Sequence, residues 1–333
     1  MPSPNRRHFL KTVAAAAALP AGFTAAEEAA TAALPHRVLG RTGAKLPVLA
    51  YGGAALPRAW GNSLPTEARV ALVRHAFDRG IRYFDTAGNY MESQAILGEA
   101  LEPVRKDAFI VGKVETTDPA KVRAAVEKSI RELRTDYLDA ILIHGTPGLE
   151  QMTVKRAMQV HAELVKLRDE KITKHIGLSA HGYFGKALAL INSGGFDLCM
   201  LSVGYLPRGH NQIFSPRMLQ LRDACVARAH ELKMGLVAMK VIGAGMMGAW
   251  SGHLVPKFDK DRRPQLPAAA IRHVLDDKRF HLLCIGMRRR VDITENLATL
   301  TGDTTYTAED KALLQEFGAV AMKCEAIRKM RVD

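Results

Sequence analysis

IRYFDTAGNY, Ile81 to Tyr90, is a short apolar run that ends on a carboxylate, Asp85, and sets a phenol, Tyr90, a few residues further on. A buried strand tip gains nothing from a charge unless an opposite charge waits beside it. Two later runs share this build: FIVGK ends on Lys113 and LDAILIH on His144. Each is a β-branched or apolar run followed by a longer segment of helical period, and each polar end comes one such repeat after the last.

The repeat extends along most of the chain. Strands are expected at LAYG, IRYFD, FIVGK, LDAILIH, KHIGLS, DLCML, GLVAMK and LLCIG, with amphipathic segments between them. PTEARVALVRHAFDRG opens on Pro–Thr and closes at Gly80, and DPAKVRAAVEKSIREL offers Asp118 as an N-cap, so both read as helices. HRVL and KLPVL flank GRTGA and read as a small hairpin ahead of the first strand. Strands alternating with helices imply parallel β/α units. Eight of them match a closed (β/α)8 TIM barrel, a fold of about 250 residues. A doubly wound open sheet would need a GxGxxG turn after its first strand, and YGGAAL lacks that spacing. The expected layout is a barrel over residues 36–300 with a helical extension over 301–333.

Composition narrows the partners. The net charge of +13 is spread along the chain and aromatics are only 6%, which argues against nucleic acid and for a locally bound anionic small molecule. No stretch reaches the roughly 20 apolar residues of a membrane span, so stable membrane insertion is not expected. The four cysteines form no CxxC pair, so neither a metal site nor a redox dithiol is expected, and Cys199 and Cys284 in their apolar runs read as core residues. The N-terminus differs in kind. NRRHFLK precedes TVAAAAALPAGF and then AATAA, a basic region, a short apolar run and a small-residue cleavage signal. Paired Arg6 and Arg7 resemble a twin-arginine leader. The expectation is a signal peptide over residues 1–32, cleaved after Ala32, that engages export machinery and delivers a folded protein to the periplasm. An unused leader would leave the protein in the cytoplasm.

Barrel chemistry sits at the C-terminal ends of the strands. Neighbouring parallel strands lie about 4.8 Å apart, so Asp85, Lys113 and His144 are expected on one rim, with Tyr90 reaching over from the loop after the second strand. A phenol with an ordinary pKa near 10 is a weak acid at neutral pH, and a nearby ammonium is expected to lower that value. Lys113 in turn needs a counter-ion when buried, which Asp85 can supply. His144 can hydrogen-bond a carbonyl oxygen on its way to alkoxide. The set suits protonation of a carbonyl oxygen while hydride arrives at carbon.

With these residues in place the chain resembles an aldo-keto reductase. FDTAGNY, VGK and LIH match that family's segments, and the resemblance carries its catalytic tetrad onto Asp85, Tyr90, Lys113 and His144. It implies a barrel plugged by a hairpin and reversible reduction of a small-molecule aldehyde or ketone with NAD(P)H and no metal. Tyr90 would be the general acid, tuned by Lys113 and Asp85, with His144 orienting the carbonyl. GLSAH gives Ser179 the role of holding the nicotinamide carboxamide, while Ala180 replaces the usual asparagine beside it. AMKVIGAGMMG resembles the family's pyrophosphate loop and nominates Gly243 and Gly245. IGMRRRVDITEN resembles its adenosine-binding loop and helix and nominates Gly286, Met287, Arg288, Asp292, Glu295 and Asn296. Asp292 stands where several members place an arginine for the adenosine 2′-phosphate. Arg288, Arg289 and Arg290 nearby favour phosphate, so NADPH is expected, with NADH as the alternative. Met91 replaces the usual glycine after the tyrosine, and Gln94 the usual glutamate. Trp60, Phe184, Tyr205 and Trp250 are expected to wall the substrate pocket. The other readings are a nucleotide-binding subunit or sensor with incidental turnover, and an isomerase or lyase using Lys113 as a Schiff base, against which a charge-holding Asp85 argues.

Overall fold

The computed structural model describes residues 34–332; the leader expected over residues 1–32 lies outside them. A hairpin of β1 (His36–Val38) and β2 (Lys45–Pro47) precedes the barrel strands β3 (Leu49–Gly52), β4 (Tyr83–Asp85), β5 (Phe109–Val114), β6 (Leu138–Ile143), β7 (Thr173–Ala180) and β8 (Leu198–Ser202). A short β9 (Gln212–Ile213) interrupts the run before β10 (Gly235–Met239) and β11 (Leu282–Ile285), and β12 (Arg331–Val332) pairs with β9. The eight barrel strands follow one another around a closed, all-parallel ring in which β11 returns to β3. All eight strands expected from the sequence are therefore present. The helices Thr66–Asp78, Ser93–Leu101, Val122–Glu132, Val154–Asp169, Phe184–Asn192, Pro216–Glu231, Leu266–Asp276 and Arg290–Thr301 follow them in turn.

Local chemistry sets the boundaries. Thr153 and Ser215 cap their helices by accepting from the backbone N–H of Arg156 and Met218, satisfying donors that a helix leaves open. Asp118 caps a single turn, Pro119–Lys121, that leads into its helix.

Two cores follow from the alternation of strand side chains. Outward-facing residues such as Leu49, Phe84, Ile110 and Ile141 pack against the helices. Inward-facing Ala50, Tyr83, Val111, Leu142, Met200 and Val237 fill the barrel, and Leu39 and Leu46 of the hairpin region close its base. A third cluster packs the helix Ala308–Ala321 through Leu314 and Phe317 on Met246, Met247 and Phe258 of the long loop after β10. Among the described residues no helix is long and apolar enough to cross a membrane.

Gly98 marks a close helix contact. A Cβ there would lie 2.5 Å from the Glu132 carbonyl oxygen and 2.8 Å from the Leu133 carbonyl carbon, both backbone atoms of the next helix region. Gly98→Ala is expected to cost about 1–3 kcal/mol of stability, read as a lowered thermal midpoint.

Candidate active site

Within the barrel, side chains two apart on each strand share a face. On β4 the inward series runs from Tyr83 to Asp85, and on β5 from Phe109 through Val111 to Lys113. On β6 it runs from Ala140 through Leu142 to His144, just past the strand end. The polar residues are therefore the last members of three apolar inward rows. They arrive at the mouth because the row beneath them fills the barrel.

The Lys113 ammonium lies 2.7 Å from one Asp85 oxygen and 2.6 Å from the other, donates to the Thr86 carbonyl at 2.8 Å, and stands 3.5 Å from the Tyr90 hydroxyl. All three ionisable side chains are buried. The His144 ring meets Tyr90 edge-on at 5.6 Å, and its Nδ1 lies 3.6 Å from a Glu115 oxygen without a hydrogen-bond partner. That same Glu115 oxygen accepts from the Asn89 N–H at 3.2 Å, so one carboxylate bridges the tyrosine loop and the histidine. The loop is further pinned by Thr86 Oγ1 against Ser93 Oγ at 3.0 Å, and by the ion pair of buried Arg69 with half-buried Glu92.

Electrostatics adjust one expectation. Burial opposes charge on Lys113, but Asp85 and then Tyr90 more than offset it and hold the ammonium above the usual lysine range. Tyr90 moves the other way from the sequence reading. Burial pushes its phenol up to about 12, and Lys113 only limits the rise. The reason is that desolvation of the phenolate outweighs an ammonium already held by Asp85. Burial takes His144 down to about 4 despite Glu115, so its imidazole is neutral at physiological pH.

The departures near Tyr90 are accounted for. Met91 takes the left-handed conformation, φ 47°, that favours glycine, with its side chain exposed. Gln94 points away from the tyrosine and donates to Glu132 at 2.9 Å.

A pocket of about 530 Å³ opens above this group. Asp85, Tyr90, His181, Met200 and Lys240 line one end, and Gly286, Arg288, Asp292, Glu295 and Asn296 line another part of its wall, with Gly245 and Trp250 from the loop after β10. Its size falls in the range of small-molecule sites, and Gly245 and Gly286 leave bare backbone on its walls. Lys113 and His144 stand behind the wall, and so do three residues nominated for the nucleotide. Ser179 is buried and its Oγ accepts from the Gly145 N–H at 2.9 Å, Gly243 is buried, and the Met287 carbonyl accepts from Tyr51 at 2.8 Å.

Of the expected substrate walls, Trp250 lines the pocket and carries the Arg288 guanidinium 5.0 Å over its ring. Trp60 packs edge-on against Tyr90 at 5.3 Å. Phe184 is fully buried against Phe214, and Tyr205 packs on His273, so neither belongs to the pocket: both follow helix and extension packing. Cys284, read as core, is buried at the pocket floor. Sequence reasoning missed Glu115, His181 and Lys240. Glu115 was legible as the next inward position after Lys113. His181 was legible in the same way, two positions past Ser179 on the inward face of β7, whereas Lys240 directly follows the inward Met239 and falls off the period of β10.

A closed parallel barrel with an Asp–Lys–Tyr–His group at its mouth defines a site for proton and hydride chemistry on a small molecule. Residues 48–319 match the model of the aldo/keto reductase family. The chain belongs to that family and is an oxidoreductase of the nicotinamide-dependent, carbonyl-converting kind. It is 26% identical over 305 residues to L-galactose dehydrogenase of Arabidopsis thaliana, covering 85% of this chain and 93% of that protein. It is 23% identical over 307 residues to D-threo-aldose 1-dehydrogenase of a Pseudomonas species, covering 76% and 89% respectively. The fold is similar to an aldo-keto reductase from Bacillus halodurans in its holo form, with a TM-score of 0.66 at 18% identity, covering 87% of this chain and 99% of that one.

Proposed function

We propose that this chain reversibly reduces an aldehyde or ketone to an alcohol, with Tyr90 as the proton donor to the carbonyl oxygen. The observation that carries the reading is the Lys113 ammonium, held by Asp85 and 3.5 Å from the Tyr90 hydroxyl in a buried corner of the pocket. Reduced nicotinamide, when bound, supplies the hydride. Lys113 and Asp85 fix the tyrosine and supply positive potential where negative charge develops on oxygen. Neutral His144 donates a hydrogen bond that orients the carbonyl, and Glu115 positions that ring. Transfer of deuterium from 4-deuterated nucleotide to the carbonyl carbon of a model aldehyde tests the reading. Nucleotide binding without such transfer would instead support a sensor.

The nucleotide end favours NADH over the NADPH that the neighbouring arginines suggested. The Asp292 carboxylate accepts from the backbone N–H groups of Arg288 and Arg289, each at 2.9 Å, and from the Arg289 guanidinium at 2.6 and 3.0 Å. A helix N-terminus attracts phosphate through free amides. Here an internal carboxylate takes the two amides that lead into the helix Arg290–Thr301, and it would repel a 2′-phosphate while accepting from a ribose hydroxyl. NADH is expected to show a KM at least roughly tenfold below that of NADPH, a difference of about 1.4 kcal/mol. Asp292→Asn should narrow that ratio. Equal KM values for the two nucleotides in the wild type would reject the assignment.

A further inference from the structure

The loop after β10 is a wall with two faces. Gly245, Gly248, Trp250 and Ser251 line the pocket. Met246 and Met247, between the two glycines, turn the other way into the third cluster and are fully buried. What backs them there is the C-terminal extension, through Leu314, Phe317 and Ile327. The Phe258 ring of the same loop meets Phe317 edge-on at 5.1 Å. The pocket lining ends at Asn296, so the extension supports this wall without entering the pocket.

The helix Leu266–Asp276 keeps that cluster apart from the barrel cores. Leu266, Ala269 and Ala270 face the third cluster, while Ile271, Val274 and Leu275 face the outer barrel core. Each trio has the spacing of one helical face, so a single helix divides two apolar interiors. A segment with a core of its own opens as a unit of its own. Polar ties complete this one. Arg272 donates to both Asp310 oxygens, at 2.7 and 2.6 Å, and Arg262 of the loop pairs with Glu316. At the chain end β12 adds its backbone to β9, in the loop after β8.

We propose that the C-terminal extension is a strap that sets nucleotide affinity without touching the nucleotide, by holding the loop after β10 in the shape that completes the pocket. The inference rests on the nucleotide reading above and adds a control element to it. Linkage makes the effect reciprocal. A docked extension that favours nucleotide binding is itself favoured, by the same factor, when nucleotide is bound.

Hydrogen exchange of the full chain, with and without NADH at about a hundred times its Kd, tests the wild type. Amides of the helix Ala308–Ala321 are expected to exchange at least roughly fivefold more slowly with NADH, the low end of ordinary coupling between sites. Phe317→Ala removes the ring that meets Phe258 and leaves every pocket residue in place. It is expected to raise the NADH Kd roughly tenfold with the far-ultraviolet circular dichroism unchanged. Val126→Ala, a cut of the same kind in the outer barrel core, should leave that Kd within about twofold of wild type, because distant sites act independently. Protection of the loop after β10 without protection of the helix Ala308–Ala321 would overturn the proposal. So would equal NADH affinities in Phe317→Ala and wild type, or equal losses in the two variants. Should Phe317→Ala fail to fold, the wild-type exchange result decides alone. A wild type that binds neither NADH nor NADPH would overturn the nucleotide reading along with the strap.

Discussion

Tyr90→Phe is expected to lower kcat for carbonyl reduction by about 10²- to 10⁴-fold, the usual contribution of a positioned general acid. The ring is kept, so its edge contacts with Trp60 at 5.3 Å and His144 at 5.6 Å survive, and only the hydroxyl beside Lys113 is lost. Nucleotide affinity and the thermal midpoint should therefore stay near wild type, which separates loss of chemistry from loss of fold. The pH profile carries the same information. Burial pushes the phenol up to about 12, so the acid form needed for reduction is present throughout the neutral range and is lost only at strongly alkaline pH. Alcohol oxidation needs the phenolate and should rise with pH over that range. Rates of reduction in the variant equal to those of the wild type would remove Tyr90 from the chemistry.

Lys113→Met removes more than a catalytic group. The lysine and Asp85 side chains are 1% and 5% exposed, so both partners of the pair are buried. Breaking a buried pair from one side costs about 3–5 kcal/mol, because the remaining charge is stranded. Turnover should fall below detection, and the urea midpoint should fall with it. Adding Asp85→Asn to Lys113→Met is expected to restore much of the stability, since no buried charge then lacks a partner, and none of the activity. A double variant no more stable than the single one would mean that packing of the lysine stem, rather than its charge, holds the barrel mouth.

Much of this site was legible before any coordinates. The inward rows Tyr83–Asp85 and Phe109–Val111–Lys113 alternate in the sequence as they do in the barrel, so the polar end of each row had only the mouth to go to. Gly245, Gly286, Arg288, Asp292, Glu295 and Asn296 reach the pocket wall from segments that sequence motifs had singled out. What failed to show was the balance of opposing forces. Lys113 beside Tyr90 implied a lowered phenol pKa, yet burial, a property of everything packed around the ring, reverses the sign. Three arginines in a row read as affinity for phosphate, and the sequence did not display that Asp292 folds back on the Arg288 and Arg289 amides and the Arg289 guanidinium.

By itself the sequence determined the number and order of the barrel strands, the barrel they close, and that Asp85, Lys113 and His144 crown three of them, because strand alternation is a local property with a period of two. The tertiary structure alone decided how those groups ionise, that Phe184 and Tyr205 turn away from the pocket, and that Lys240 turns into it. Those outcomes depend on desolvation, on backbone strained by neighbours such as Gly204, and on charges brought together from different loops. No local pattern encodes such terms, since each is a sum over residues distant in the chain.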